Sequence, residues 1–113
     1  MSVTDDTVVD GIAVNDNKKT LIMLITDHLD WQKENEYVHL MMLQAKINAY
    51  VDFIESKQYT NVYSYSFENF SIEIYFKFGI NDICMKFINS VNKQLLGSKI
   101  IIIPKDKKED IIL

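Results

Sequence analysis

Residues 33–56 read KENEYVHLMMLQAKINAYVDFIES, and the spacing predicts one long helix. Leu40, Leu43, Ile47, Tyr50, Val51 and Ile54 recur at i, i+3, i+4 intervals and form one apolar face. Val38, Met42, Ala45, Ala49 and Phe53 form a second, centred roughly 150° away at about 100° per residue. A helix lying on a sheet needs one such face. The second must meet a neighbouring helix, a twin subunit or another protein. Val38, Met42, Ala45, Ala49 and Phe53 are therefore the candidate interface. The small Ala45 and Ala49 would let another helix approach closely.

Strands flank this helix. Leu21–Ile25 is a near-continuous apolar run within Thr20–Thr26. In Phe70–Phe78, Phe70, Ile72, Ile74, Phe76 and Phe78 alternate with Ser71, Glu73, Tyr75 and Lys77, the pattern of a half-buried antiparallel strand. Val62–Phe67 alternates in the same way, with Tyr63, Tyr65 and Phe67 on one side, and Glu68-Asn69 fits a tight turn between the two. Ile12–Val14 reads as a short strand, and Lys99–Ile103 as a last one stopped by Pro104. Thr4 caps a short helical turn over Asp5–Asp10. A second helix starts at Asn81, carries Cys84, Phe87, Ile88, Val91 and Leu95 inward, and ends at Gly97. The expected fold is α+β: a two-layer sandwich with an antiparallel sheet of about five strands and two helices on one face. It is a ferredoxin-like β-α-β-β-α-β core with an added N-terminal strand. Residues 1–104 make one domain, and residues 105–113 a charged, mobile tail.

The 113 residues suffice for a core without disulfide or metal, since a chain of this length buries about 65% of its unfolded surface. The net charge is −4 and all 12 basic residues are lysine. Without arginine the usual bidentate reader of phosphate and guanine is missing, which argues against a nucleic-acid partner. No run approaches the ~20 apolar residues of a membrane span. The first ten residues lack the basic and apolar regions of a signal peptide. One cysteine, Cys84, forms no internal disulfide, so a reducing cytoplasm is the expected location.

Asp27, His28 and Asp30, with His39 further on, are the densest polar group. Two carboxylates and an imidazole at a strand-to-helix junction suit metal binding or acid–base work. The competing reading has Asp27 and Asp30 capping the helix, with His28 in solvent. Glu36 and His39, at i and i+3, read as polar neighbours on the helix start. Cys84 is in register with Phe87 and Val91, which makes it a buried structural thiol. The aromatic strand pair lacks the basic and glycine-rich company of an RNA-stacking sheet. No cofactor signature is present.

Ser2-Val3-Thr4-Asp5 with Thr7–Ile12, Asp27-His28-Leu29-Asp30-Trp31, Gln44–Tyr50 running into Phe53–Ser56, and Ile72-Glu73-Ile74 before Phe76-Lys77 together resemble a family of short bacterial proteins of unknown function. The resemblance reaches Pro104. It implies a bacterial, cytoplasmic, single-domain protein and carries no activity, cofactor or catalytic residue. The expected role is a non-catalytic protein-interaction module, either an immunity protein that neutralises a toxin or a homodimeric accessory protein. The alternative is a small metal- or acid-base-dependent enzyme built on Asp27, His28 and Asp30.

Overall fold

A computed structural model describes residues 2–17, 19–63 and 66–106. The strands are β1 (Gly11–Val14), β2 (Thr20–Asp27), β3 (Asn69–Phe76) and β4 (Ile100–Asp106), and the helices are α1 (Glu36–Glu55) and α2 (Asp82–Gln94). A 3-10 turn at Lys33–Asn35 leads into α1, and another at Gln58–Asn61 follows it. The sheet order is β1-β2-β3-β4; β1 pairs antiparallel with β2, whereas β2, β3 and β4 run parallel. The fold is thus α+β with a four-stranded mixed sheet and two helices.

The register aligns Leu21, Phe70 and Ile100, then Met23, Ile72 and Ile102, across the parallel strands. All six side chains are buried, and they form one core with Leu43, Ile47, Tyr50 and Ile54 of α1 and Cys84 and Ile88 of α2. Both helices therefore cover the same face. This is what right-handed crossovers produce when β2, β3 and β4 succeed one another in one direction. Asn81 starts α2 by accepting a 2.8 Å hydrogen bond from the Cys84 amide, which satisfies one of the helix's open donors.

Three expectations are corrected. First, no five-stranded antiparallel sheet and no ferredoxin-like order forms, because Val62–Phe67 supplies no strand among its described residues. Ser64 and Tyr65 lie outside the described residues. Tyr59 is buried and tilted against Phe70 at 5.4 Å, and Phe67 packs edge-on against Tyr59, Tyr63 and Phe70 at 5.6–6.2 Å. The alternating aromatics close the end of the core instead of pairing a strand. With one strand between the helices rather than two, α1 becomes a crossover and β3 must lie parallel to β2.

Second, β4 runs through Pro104 to Asp106, so Lys105 and Asp106 belong to the sheet and not to a tail; residues 107–113 lie outside the described residues. Proline is tolerated because β4 is an edge strand. The outward amide of Ile100 bonds Ser98 Oγ, and that of Ile102 bonds Asn92 Oδ1, whose own Nδ2 donates to the Ile102 carbonyl. Pro104 occupies the next outward position of this alternation and gives up no ladder bond.

Third, residues 5–10 form turns, not helix. Asp5 Oδ1 accepts from both the amide and the hydroxyl of Thr7, which bends the chain locally and holds the Asp5 carboxyl below its ordinary pKa. Lys46, fully buried on α1, then pins the segment. Its Nζ donates to the carbonyls of Asp5 and Val8 and sits 2.9 Å from Asp10 Oδ1. Asp10 Oδ2 accepts from the Thr26 amide, while Tyr50 Oη donates to the Leu24 carbonyl and accepts from the Asp10 amide.

Lys46→Met keeps most of the stem but leaves a buried carboxylate without its cation. We expect a loss of about 3–5 kcal/mol in urea unfolding, with faster amide exchange over residues 2–10. Unchanged exchange there would mean the segment is held by packing alone.

Candidate functional site

The C-terminal ends of β2 and β3 face the first turns of α1 and α2, and parallel α/β sheets characteristically bind ligands at these ends. Asp27 is the last residue of β2 and His39 lies one turn into α1; both are buried. His39 Nε2 lies 2.6 Å and 2.8 Å from the two carboxylate oxygens of Asp27, and Nδ1 lies 3.1 Å from the Asp30 carbonyl. Trp31 stacks on the imidazole at 3.7 Å with an 18° tilt, and its Nε1 donates to the Gly79 carbonyl, joining the loop after β2 to the loop after β3.

The acceptors dictate the protonation. A carbonyl oxygen only accepts, so Nδ1 carries a proton. A carboxylate only accepts, so a further proton lies between Nε2 and Asp27, as an imidazolium–carboxylate pair or as imidazole and carboxylic acid. In either state both ring nitrogens are engaged inside the protein. A catalytic histidine keeps one nitrogen facing substrate.

Of the four polar candidates, the structure brings together Asp27, His39 and the backbone of Asp30. His28 is exposed and makes no side-chain hydrogen bond or ion pair among the described residues. Asp27 and Asp30 do not cap α1, which is preceded by Asn35, a residue whose side chain makes no capping bond. Asp27 Oδ1 instead accepts from the Leu29 amide, and the Asp30 carboxylate accepts from Gln32. Glu36 does not pair with His39; its carboxylate receives Asn81 Nδ2 at 2.7 Å, tying the start of α1 to that of α2. Among the described residues, no group of three or more His, Cys, Asp and Glu side chains is placed to hold a metal ion.

The proposed second stripe divides. Val38 is 51% exposed, and with the half-buried Met42 it lines a cleft of about 180 Å³ shared with Leu29, Asp30, Asn35 and His39. Tyr37 and Met41 stand exposed beside it. Ala45, Ala49 and Phe53 are half-buried, and Ala49 and Phe53 line a cleft of about 200 Å³ together with residues 6–9 of the chain's own N-terminal segment. One group escaped the sequence reading, the Lys46–Asp10 pair; Asp27 and His39 were both candidates, but their direct pairing was not read. The signal was present, since His39 and Lys46 continue the buried spacing of Leu43, Ile47, Tyr50 and Ile54.

Cys84 is fully buried, and burial, with a smaller push from the Asp27 charge, drives its thiol pKa up to about 12. An acid whose pKa is raised by folding holds its proton more tightly when folded. Its contribution to stability is therefore present below the unfolded thiol pKa near ~8.5 and is lost as pH rises above it. We expect Cys84 to resist a thiol reagent at mildly alkaline pH and to react once the chain is unfolded in guanidinium chloride; rapid labelling of the folded protein would contradict its burial. For the ion pair, Asp27→Ala should cost about 3–5 kcal/mol. Adding His39→Leu should recover part of that loss, so a double-mutant cycle with strictly additive losses would show that the pair is not coupled.

No curated protein and no solved structure matches the chain. A family model matches residues 1–105, so the match takes in the whole sheet except Asp106, both helices and every residue of the Asp27–His39 cluster. The chain belongs to the family of unknown function DUF6572.

Proposed function

We propose that this chain is a non-catalytic protein-binding domain whose contact surface is the start of α1. The observation that carries this reading is the contrast between the buried cluster and the surface beside it. Asp27 and His39 are engaged with each other and with backbone, leaving no free ring nitrogen for acid–base work. Val38, 51% exposed, lines a small cleft with His39, and Tyr37 and Met41, 73% and 45% exposed, stand on the same stretch of α1. Neighbouring exposed apolar side chains of this kind mark binding surfaces. Tyr and Met are also among the residues enriched at interfaces.

Exposed Asp30 and Glu34 lie beside this surface, and the chain carries a net charge of −4. A basic partner is the complement, and opposite charge speeds such an encounter. The toxin of a bacterial toxin–immunity pair, met in the cytoplasm, is a partner of this kind. No helix among the described residues is long and apolar enough to cross a membrane.

A photo-crosslinking residue at Val38, with a control at Glu55 on the far end of α1, tests the reading in living cells. We expect one defined adduct from position 38, weakened by Met42→Glu and by raised ionic strength after lysis. The same ladder from both positions, or no adduct from position 38, would sink it.

A further inference from the structure

The helices cover one face of the sheet, and no helix among the described residues covers the other, where Ser71 is buried and Ile22, Leu24, Glu73 and Ile103 are half-buried among their neighbours. Register places Ile22 and Ile101 on either side of Ser71, and Leu24 and Ile103 on either side of Glu73, on this second face. Ile101 is 52% exposed, and none of these aliphatic side chains joins the core beneath the helices. A sheet with three parallel strands ordinarily has both faces covered, which makes a helix-free aliphatic face exceptional.

Three observations say what covers it. The outer edge of β4 is closed: Ser98 and Asn92 occupy its outward backbone groups and Pro104 has no amide to offer. Strand-to-strand addition there is disfavoured, and the opposite edge is β1, only 4 residues long. The face also carries one charge of each sign. Glu73 lies beside Ile103, Lys105 follows two residues along β4, and Lys105 makes no ion pair among the described residues. A surface bearing both an acid and an unpaired base is complementary to itself under a two-fold axis, the symmetry of most dimers. Finally, four strands ~4.8 Å apart and about seven residues long give roughly 400 Å² of planar area. Counted on both copies and roughened by side chains, this reaches the ~1,000 Å² at which specific interfaces begin.

We propose that the helix-free face of the sheet packs against the same face of a second copy of this chain, with Glu73 of each copy facing Lys105 of the other. This surface lies on the opposite side of the sheet from α1, so self-association leaves the α1 surface open.

The test is the solution mass of the full chain by light scattering over a concentration series, with circular dichroism to verify folding. We expect a wild-type dimer whose dissociation constant rises by at least about tenfold in Ile101→Glu. Glu73→Lys should weaken the dimer at low salt, and combining it with Lys105→Glu should restore it. That charge-swapped pair keeps the test decisive if Ile101→Glu fails to fold. A monomer at every concentration would overturn the proposal, whether another protein or residues 107–113 take the face. So would a dimer indifferent to all of these substitutions.

Discussion

A buried polar side chain must be partnered, and α1 carries two that reach a carboxylate. His39 meets Asp27 at the end of β2, and Lys46 meets Asp10 just before β1. The two sit seven residues apart, so roughly 10 Å of helix separates them at ~1.5 Å per residue. Each has one carboxylate to reach, and sliding α1 by a turn would strand both. Hydrophobic contact is non-directional and would tolerate small shifts of a helix on a sheet. The two hydrogen-bonded pairs do not. They set the position of α1, and through Trp31 and Glu36 they also set the start of α2.

The same pairs explain the N-terminal segment. Residues 2–10 have little regular structure, yet Val3 is buried and its amide donates to the Thr26 carbonyl. Lys46 supplies the donors that the Asp5 and Val8 carbonyls require once covered, so a stretch with no helix or ladder of its own still satisfies its backbone. The segment also shares a cleft with the lower half of the second apolar stripe, at Ala49 and Phe53. The upper half, Val38 and Met42, stays open beside the exposed Tyr37 and Met41. The proposed partner surface is therefore half the size that helical spacing implied.

Topology and burial answer different questions. The alternation in β3 reports that one face is more buried than the other, which holds for the half-buried Glu73 and Tyr75 on the helix-free face but not for Ser71, which is buried there. Reading it as antiparallel assumed that parallel strands are covered on both sides. Here no helix among the described residues covers the second side, and the proposed dimer would cover it. Pro104 misled for a related reason: proline ends a strand only where its missing amide is needed, and on the outward side of an edge strand it is not.

What local periodicity determines was legible: both helices, β2, β3, the inward positions Leu43, Ile47, Tyr50 and Ile54, and the buried Cys84. Apolar spacing at 3.6 or 2 residues follows from burial of one side of an element, and the chain carries that information position by position. The Asp27–His39 pair was half legible, since both residues stood out but the partner of each did not. Only the tertiary structure decided which strands lie side by side, that Tyr63 and Phe67 close the core end rather than extend the sheet, and that Lys46 reaches back to Asp10. These are contacts between residues distant in sequence. A charge or an aromatic ring announces that it needs a partner, but the partner's identity is settled only when the chain brings the two together.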